Sequence, residues 1–398
     1  MAGIYIHIPF CRRKCHYCNF FSLATKKLRE PFLQALKKEI VQTSGYLGNE
    51  PVNTIYFGGG TPSLYHPGEL QEIVKLATPP PDASPAENTS PPDPSPQGEG
   101  RIVFPNIKEI TLELNPEDVT EDYVAELKHT CFNRFSLGVQ SFSDDDLKYL
   151  NRSHSAGQAL NAVKLLQDAG YENISIDLIF GIPSFTSGLW QKNLETAFSL
   201  GVPHISAYAL TVEQRTPLSW MIARQKSAPV NDELQVDQFR ILMNKMKERG
   251  FVQYEISNFC KPGRHAVHNT NYWNGVSYLG LGPSAHSYNG NSRRWNISNL
   301  SKYIDGIING DCLFEEEVLT NTQKYNEYVM TSLRTMWGCD LKKICDELRM
   351  TNDELIRKRA ESFIRQGFLT ELSGVYFLTD NGKLFADRVA SELFITGQ

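Results

Sequence analysis

The chain has 398 residues, more than one ordinary hydrophobic core supports, and this length predicts one large domain and a smaller one. Its formal net charge is −5 at pH 7, and this acidic balance argues against a general nucleic-acid-binding protein. The sequence contains no apolar run of about 18 residues, and its N-terminus lacks the apolar core of a signal peptide, so we expect a cytoplasmic protein.

The first predicted element is a short strand, followed by a loop that contains three cysteines. An alternating apolar run at residues 4–8 predicts the strand, and Pro9 ends it. The loop then carries Cys11, Cys15 and Cys18 in a C-x-x-x-C-x-x-C arrangement. Three thiols are one fewer than a closed zinc site needs, whereas a [4Fe-4S] cluster held by three thiolates keeps one iron open for another ligand. The spacing therefore favours an iron–sulfur cluster over zinc.

This cysteine arrangement resembles the signature of the radical S-adenosylmethionine (SAM) superfamily. The preceding stretch Tyr5-Ile-His-Ile-Pro-Phe is similar to the coproporphyrinogen dehydrogenase-like branch, which contains HemN-type dehydrogenases and HemW-type heme chaperones. The resemblance implies that Cys11, Cys15 and Cys18 hold a [4Fe-4S] cluster whose open iron binds SAM.

Strand and helix patterns alternate through residues 1–250. Strand patterns cover residues 4–8, 54–57, 109–114, 134–139, 175–180 and 204–209. Helical patterns include residues 28–44, 121–128, 156–169 and 189–200. Six β/α units in this order predict an α/β fold with a parallel sheet, and we expect a partial (β/α)6 barrel, which the resemblance also implies. In α/β barrels the chemistry lies at the C-terminal ends of the strands.

One segment interrupts this alternation. Residues 78–101 are rich in Pro, Ser and Gly and contain no large apolar side chain. Such a segment cannot bury enough apolar surface to offset the entropy lost on ordering. We therefore predict a disordered surface insertion within the barrel.

Glycines and polar residues at the predicted strand ends form the candidate SAM site. The resemblance assigns the glycine run after the second strand to the methionyl end of SAM, and four polar strand-end residues to its carboxylate, ribose and adenosine parts. Two tyrosines match positions beside the cofactor, and one alanine matches a backbone contact to it. The predicted SAM contacts are Tyr5, Tyr17, Gly59, Gly60, Thr61, Glu113, Gln140, Arg152, Asp177 and Ala209.

The C-terminal part has a different pattern. Helical patterns at residues 323–336, 341–348 and 353–366 precede two short strands at 368–372 and 375–378 and a last helix. This order resembles a small winged-helix α+β domain over residues 320–398, joined to the barrel by a linking segment at 251–319. Basic and acidic residues alternate on its third helix, which is typical of a solvated face, so we do not expect nucleic-acid binding.

Two departures separate this chain from the HemN-type dehydrogenases. Those enzymes have a further cysteine two residues after the third cluster cysteine, and this chain has Phe20 there. They also carry an N-terminal extension before the motif, which here begins at residue 11. Both departures favour the HemW-type chaperones.

A third feature concerns heme. Residues 268–273 read HNTNYW, an H-N-x-x-Y-W stretch similar to the signature of the HemW-type chaperones. A histidine nitrogen can bind heme iron and aromatic rings can pack on the macrocycle, so His268 is the predicted axial ligand, ahead of His265 and His7. The alternative is a structural patch in which His268 bonds a loop and Trp273 fills the core. Further along, His286 is a candidate contact to the cofactor.

These features predict a heme chaperone that binds a [4Fe-4S] cluster, SAM and heme, and delivers heme to heme-dependent respiratory proteins. The alternative is an oxygen-independent coproporphyrinogen III dehydrogenase of porphyrin biosynthesis, in which an adenosyl radical drives oxidative decarboxylation of propionates. A third alternative is a radical SAM enzyme with another substrate. Whether the chain is an enzyme stays open, as do peripheral membrane association and a homodimer, and we assign no catalytic residue.

Overall fold

The computed structural model describes residues 1–78, 104, 106–183, 186–311, 313–349 and 353–395. The first six strands are β1 (Ala2–Ile8), β2 (Val52–Gly59), β3 (Glu109–Leu114), β4 (Arg134–Gln140), β5 (Ile174–Phe180) and β6 (His204–Ala209). The helices that accompany them are α1 (Arg29–Gln42), α2 (Pro67–Ala77), α3 (Glu121–Leu127), α4 (Asp144–Tyr149), α5 (Ala156–Asp168), α6 (Ser187–Ser199), α7 (Pro217–Ala223) and α8 (Asp232–Glu248).

The chain continues with a second set of short strands and then a mainly helical end. The second set comprises β7 (Val252–Glu255), β8 (Asn258–Cys260), α9 (Val267–Trp273), β9 (Tyr278–Leu281), β10 (His286–Tyr288), β11 (Ser292–Asn296), α10 (Leu300–Asn309) and β12 (Phe314–Val318). The end comprises α11 (Asn321–Leu333), β13 (Cys339–Asp340), α12 (Leu341–Leu348), α13 (Asp353–Arg365), β14 (Leu369–Leu372), β15 (Val375–Leu378), α14 (Asp380–Lys383) and α15 (Ala386–Glu392).

The predicted α/β class is confirmed. Strands β1 to β6 lie side by side in chain order, and each pairs in parallel with the next. Each strand contributes at least one fully buried apolar side chain to the main core, as parallel strands covered by helices require. These side chains include Ile6, Phe57, Leu112, Leu137, Ile176 and Ile205. Because the strands are parallel, their C-terminal ends lie along one rim.

The sheet is wider than the sequence predicts. Its order is β12-β11-β10-β9-β1-β2-β3-β4-β5-β6-β8-β7, so strands from the predicted linking segment extend both edges of the barrel. Strand β9 pairs in parallel with β1, whereas the other added strands pair antiparallel. These strands have only three to five residues, too few for an apolar period to show in the sequence.

The C-terminal elements have a core of their own. Strands β13, β15 and β14 form an antiparallel sheet in that order, and helices α11, α12, α13 and α15 contribute to the same apolar cluster. Helices and strands follow each other in the predicted order, and the likeness to a winged-helix domain stays a prediction.

Apart from Thr78, the insertion predicted at 78–101 lies outside the described residues. No helix in the described ranges is long and apolar enough to cross a membrane.

A buried carboxylate joins the added strands to the barrel. Glu39 on α1 is 2% exposed and accepts hydrogen bonds from the backbone N of Gly282 at 2.7 Å and the hydroxyl of Tyr303 at 2.6 Å. The side-chain amide of Asn296 donates to its other oxygen. Burial raises the pKa of Glu39, and these three donors oppose that rise. The carboxylate therefore links the first helix to the loop after β9, the end of β11 and α10.

We expect Glu39→Ala to lower the free energy of unfolding by about 3 kcal/mol, because Gly282 N and the Tyr303 hydroxyl lose their acceptor and the Asn296 amide keeps only Gly282 O. Urea unfolding followed by circular dichroism would measure the loss. Glu30→Ala is the matched control, since Glu30 is exposed on the same helix and its loss should cost less than about 1 kcal/mol. Equal losses in the two variants would contradict a joining role for Glu39.

Candidate functional site

The three cysteines lie in a loop that closes on itself directly after β1. Leu23 N donates to Pro9 O at 2.8 Å and Cys11 N donates to Leu23 O at 3.1 Å, so the loop begins and ends at the same place. Its outer part is anchored on the rim, where Arg12 pairs with the buried carboxylate of Asp118 beyond β3. The closed loop holds all three thiols over the C-terminal ends of the parallel strands.

The three thiols are close enough for their charges to interact, since, besides burial, the charge of Cys15 contributes to the raised pKa of both Cys11 and Cys18. Among the described residues, no three His, Cys, Asp or Glu side chains converge on a single metal ion. One zinc ion would need its sulfur ligands within about 2.3 Å of one point, whereas each thiolate of a [4Fe-4S] cluster can bind a different iron. All three thiols are half-buried, and burial raises the pKa of Cys11 and of Cys18. Three thiolates in one short loop are one ligand short of a closed zinc site, and they suffice for a [4Fe-4S] cluster with one open iron.

A cavity of about 650 Å³ opens beside the loop, at the rim of the barrel. We call it the cluster cavity. Of the residues that the sequence predicts for the cluster and SAM, all except Tyr5 and the further candidate His286 line it. They are Cys11, Cys15, Tyr17, Cys18, Gly59, Gly60, Thr61, Glu113, Gln140, Arg152, Asp177 and Ala209. The structure therefore brings these residues together from the cysteine loop and six successive parts of the barrel.

The glycine run has a packing role as well as a place in the cavity. Gly59 has a φ of +105°, and a Cβ there would lie 2.5 Å from the ring of His7. Gly60 N donates to Ile8 O at 2.7 Å, and a Cβ at Gly60 would lie 2.5 Å from Phe10 O. The end of β2 thus packs directly on the end of β1. This contact places Thr61 beside the thiol of Cys11.

Arg152 connects the cysteine loop to the strand ends. Its guanidinium donates to Asn115 Oδ1 at 2.6 Å and Gly138 O at 2.8 Å, and a further nitrogen lies 3.4 Å from Cys15 Sγ. Asn115 in turn donates to Thr61 Oγ1 at 2.9 Å. Arg152 Nε is buried and has no hydrogen-bond partner within the described part of the chain. A cation and an unsatisfied donor therefore lie next to a thiol, where a negatively charged group would be stabilised.

Two carboxyl groups also line the cluster cavity. Tyr56 donates to Glu113 at 2.8 Å, and Ser136 donates to Asp177 at 3.2 Å. Burial raises the pKa of Glu113 to about 7, and the charge of Asp177 adds to the rise. Burial likewise raises the pKa of Asp177 to about 6, against hydrogen bonds from Ser206 and Ser136. Such perturbed acids in a cavity are typical of a site for a charged ligand.

Tyr5 and His268 lie outside the cluster cavity. Tyr5 shares a hydrogen bond of 3.1 Å with His7 Nδ1 and lines a neighbouring cavity. His268 is 1% exposed, and its ring nitrogens lie 2.8 Å from the hydroxyls of Thr54 and Tyr272. Burial lowers the pKa of His268 to about 3. With both nitrogens in hydrogen bonds, the geometry favours the structural alternative for His268 over axial ligation of heme.

The surroundings of His7 and His265, the other two candidate heme ligands, do not favour a bond to heme iron either. His7 is 4% exposed, and its Nε2 lies 2.8 Å from Phe21 O while Nδ1 faces Tyr5. His265 packs between the rings of Tyr254 and Trp337. His7 therefore has a bonding partner at each ring nitrogen, and His265 lines neither of the two cavities at this end of the sheet.

Sequence reasoning missed several residues of the cavity. Asn115 joins Arg152 to Thr61, Tyr56 holds Glu113, and Ser136 holds Asp177. Asn115 directly follows β3, a position at which a polar residue is a usable signal. Tyr56 and Ser136 lie inside strands. Their contacts to the two acids depend on which face of the strand the side chain is on, and the sequence does not show this.

Comparisons with known proteins show the family to which the chain belongs. The sequence family described as the radical SAM superfamily matches residues 5–196. A protein named heme chaperone HemW from Bacillus subtilis (strain 168) is 30% identical over 394 residues, 98% of each chain. A protein of the same name from Escherichia coli (strain K12) is 31% identical over 399 residues, 99% of this chain and 98% of that one.

A solved structure shows the same fold. Coproporphyrinogen III oxidase (HemN) from Escherichia coli, described as a radical SAM enzyme, superimposes with a TM-score of 0.79. The match covers 99% of this chain and 90% of that chain at 19% sequence identity. At this identity the likeness extends to the fold and no further.

We expect Glu113 to titrate near pH 7. Its pKa in the folded protein is raised, so folding favours the protonated acid, and this contribution to stability is lost as the pH rises through about 7. Infrared spectroscopy of the carboxylic acid band would follow the titration, and Glu113→Gln should remove it. Asp177→Asn should move the Glu113 titration to lower pH by removing a like charge.

Glu371→Gln is the control for this titration, because Glu371 is an exposed glutamate on β14. It should leave the band unchanged. A Glu113 side chain already ionised at about pH 5 in the wild-type protein would contradict the expected shift.

Proposed function

The chain belongs to the HemW family of radical SAM proteins, and we propose that it is a heme chaperone. In this proposal it holds a [4Fe-4S] cluster and SAM in the cluster cavity, binds heme, and delivers heme in the cytoplasm to heme-dependent respiratory proteins. The observation that carries the proposal is the match to proteins named heme chaperone HemW along 98% of both chains. That match continues beyond residue 196, where the general radical SAM match ends.

The donor groups of the cluster cavity support this choice of cofactors. Cys11, Cys15 and Cys18 would hold the cluster, and Arg152 beside Cys15 would offset the negative charge of the thiolates. When bound, a reduced cluster supplies an electron to the sulfonium of SAM. SAM carries a cationic sulfonium and an amino group, so Glu113 and Asp177 in the same cavity suit the same ligand when ionised.

The second candidate is an oxygen-independent coproporphyrinogen III dehydrogenase. The fold shared with HemN over almost the whole chain favours it. Position 20 argues against it, because Phe20 replaces the cysteine of those enzymes with a side chain that is 68% exposed and carries no thiol. We therefore rank the dehydrogenase below the chaperone.

We expect Cys15→Ser to lose the brown absorbance, the iron and the sulfide of the anaerobically reconstituted protein. A serine hydroxyl stays protonated near neutral pH and does not replace a thiolate on iron. Cys260→Ser is the control, because Cys260 is a buried thiol at the edge of the sheet, away from the cysteine loop. Full iron content in Cys15→Ser would contradict the cluster assignment.

We expect the reconstituted protein to bind hemin and to leave coproporphyrinogen III unchanged during anaerobic incubation with SAM and a reductant. Mass spectrometry would detect decarboxylated porphyrins, and absorbance spectroscopy would follow transfer of heme to an apo-cytochrome. Decarboxylated product over several turnovers would make the chain a dehydrogenase. Failure of the protein to bind hemin would contradict the chaperone proposal.

A further inference from the structure

A second and larger cavity, of about 1230 Å³, adjoins the cluster cavity. We call it the outer cavity. Strands β9 and β10 and the end of α9 form one side, and helices α11 and α12 form the other. Asn19 and Phe20 of the cysteine loop line both cavities. Cavities of about 300–1,000 Å³ already hold drug-sized ligands, so the outer cavity has room for a macrocycle.

The walls of the outer cavity are aromatic. Tyr272 and Tyr278 meet edge to face with ring centroids 4.6 Å apart, and Tyr288 follows at 6.3 Å from Tyr278. Trp337 lies on the other side and is 40% exposed, and Phe20 adds an exposed ring at the boundary with the cluster cavity. Exposed large apolar rings around one cavity are uncommon on a folded protein and mark a binding surface. Flat rings suit a flat apolar ligand.

Charged side chains also line this cavity, and most are paired with each other. Arg293 forms an ion pair with Glu327 at 2.8 Å, and Lys343 lies 3.9 Å from Glu347 on the same helix. Lys324 differs, because the partner of its ammonium is the neutral amide oxygen of Asn291 at 2.9 Å. Within the described residues, Lys324 is therefore the lining cation without an acidic partner, and it is available to a carboxylate of the ligand.

One lining histidine has uncommitted ring nitrogens. Of the described residues, His7 and His286 are the histidines that line the outer cavity, and both nitrogens of His7 are bonded. His286 begins β10, is exposed, and packs nearly parallel on Trp295 at 6.0 Å. Neither of its ring nitrogens has a hydrogen-bond partner in the part of the chain that the structure describes. The ring is only partly removed from water, and this desolvation, with the positive charge of Arg293, lowers the pKa of His286 and favours the neutral imidazole that binds metals.

We propose that the outer cavity is the heme site, with His286 as the axial ligand of the iron and Lys324 as a partner of a heme propionate. The inference rests on the proposed heme chaperone function and adds the location of the ligand. The aromatic walls would cover the faces of the macrocycle. Because Asn19 and Phe20 border both cavities, bound heme would lie against the loop that carries the cluster cysteines.

The first test compares hemin with iron-free protoporphyrin IX, each titrated into the reconstituted protein and followed by absorbance. We expect His286→Ala to weaken hemin binding and to lose the spectrum of an imidazole-ligated heme, while its affinity for iron-free protoporphyrin stays unchanged. Added imidazole should restore the spectrum of the variant. His129→Ala is the matched control, since His129 is an exposed histidine that lines neither cavity.

The second test uses the propionates. We expect Lys324→Ala to weaken hemin binding by about 10-fold, as loss of a charge-assisted hydrogen bond does, and to leave binding of hemin dimethyl ester unchanged. Lys302→Ala on α10 is the control, because Lys302 is exposed and lies outside the outer cavity.

The results separate this inference from the function on which it rests. Wild-type protein that fails to bind hemin would overturn the chaperone proposal and the site with it. If the wild-type protein binds hemin and both His286→Ala and Lys324→Ala bind it equally well, the proposed heme site would be wrong and the chaperone proposal would stand. A His268→Gln variant that folds normally and loses the imidazole-ligated spectrum would return the axial role to His268 and also overturn the site.

Discussion

The backbone contact between the ends of β1 and β2 is the constraint on which the cluster cavity depends. Gly60 N bonds to Ile8 O, and neither Gly59 nor Gly60 has space for a side chain. The contact places Thr61 next to Cys11. Hydrogen bonds then connect Thr61 to Asn115, Asn115 to Arg152, and Arg152 to the thiol of Cys15. Two cysteines of the loop are thus connected through the barrel rim rather than through the loop alone. The absence of side chains in this glycine run lets the ends of β1 and β2 pack together. It also leaves the backbone of the run uncovered on the side of the cavity.

Burial and charge distinguish two groups of residues in the cluster cavity. The thiols and Arg152 form one group, where a cation lies next to sulfurs that become negative. Glu113 and Asp177 form the other group, in which burial raises the pKa of both acids and the charge of Asp177 adds to the rise at Glu113. The positive charges of Arg134 and Arg152, which line the same cavity, lower the pKa of Asp177 and oppose the effect of burial. Perturbed acids beside arginines and thiols make this cavity the part of the rim where charge is most concentrated, as is typical of functional sites.

Much of this arrangement could be predicted from the sequence, for a physical reason. Parallel strands bring every C-terminal end to one rim, so a polar residue near the end of a strand, such as Glu113 or Gln140, can be placed there from the sequence. Arg152 and Asp177 also line the cavity, but Arg152 follows helix α4 and Asp177 lies in the middle of β5, so neither is the strand-end residue that the sequence predicted. The edge strands β7 to β12 could not be predicted, because they are short and their pairing depends on partners far along the chain. The placement of Tyr5 was missed for a related reason. Alternate residues of β1 point to opposite faces, and the sequence does not show which face borders which cavity.

The HNTNYW stretch shows why a motif can be linked to a ligand without its histidine contacting that ligand. Glu109 of β3 accepts hydrogen bonds from the backbone N of Val267 and of His268, and so fixes the start of α9 on the barrel. His268 then bonds Thr54 of β2 on one side and Tyr272 on the other.

One turn further along α9, Tyr272 and Trp273 line the outer cavity. The histidine therefore sets the position of the aromatic wall, and the wall is what a flat ligand would meet. A change at His268 would alter ligand binding through the wall, and such an effect in a binding assay resembles the loss of a direct ligand. Only a measurement that reads the iron coordination itself separates the two roles.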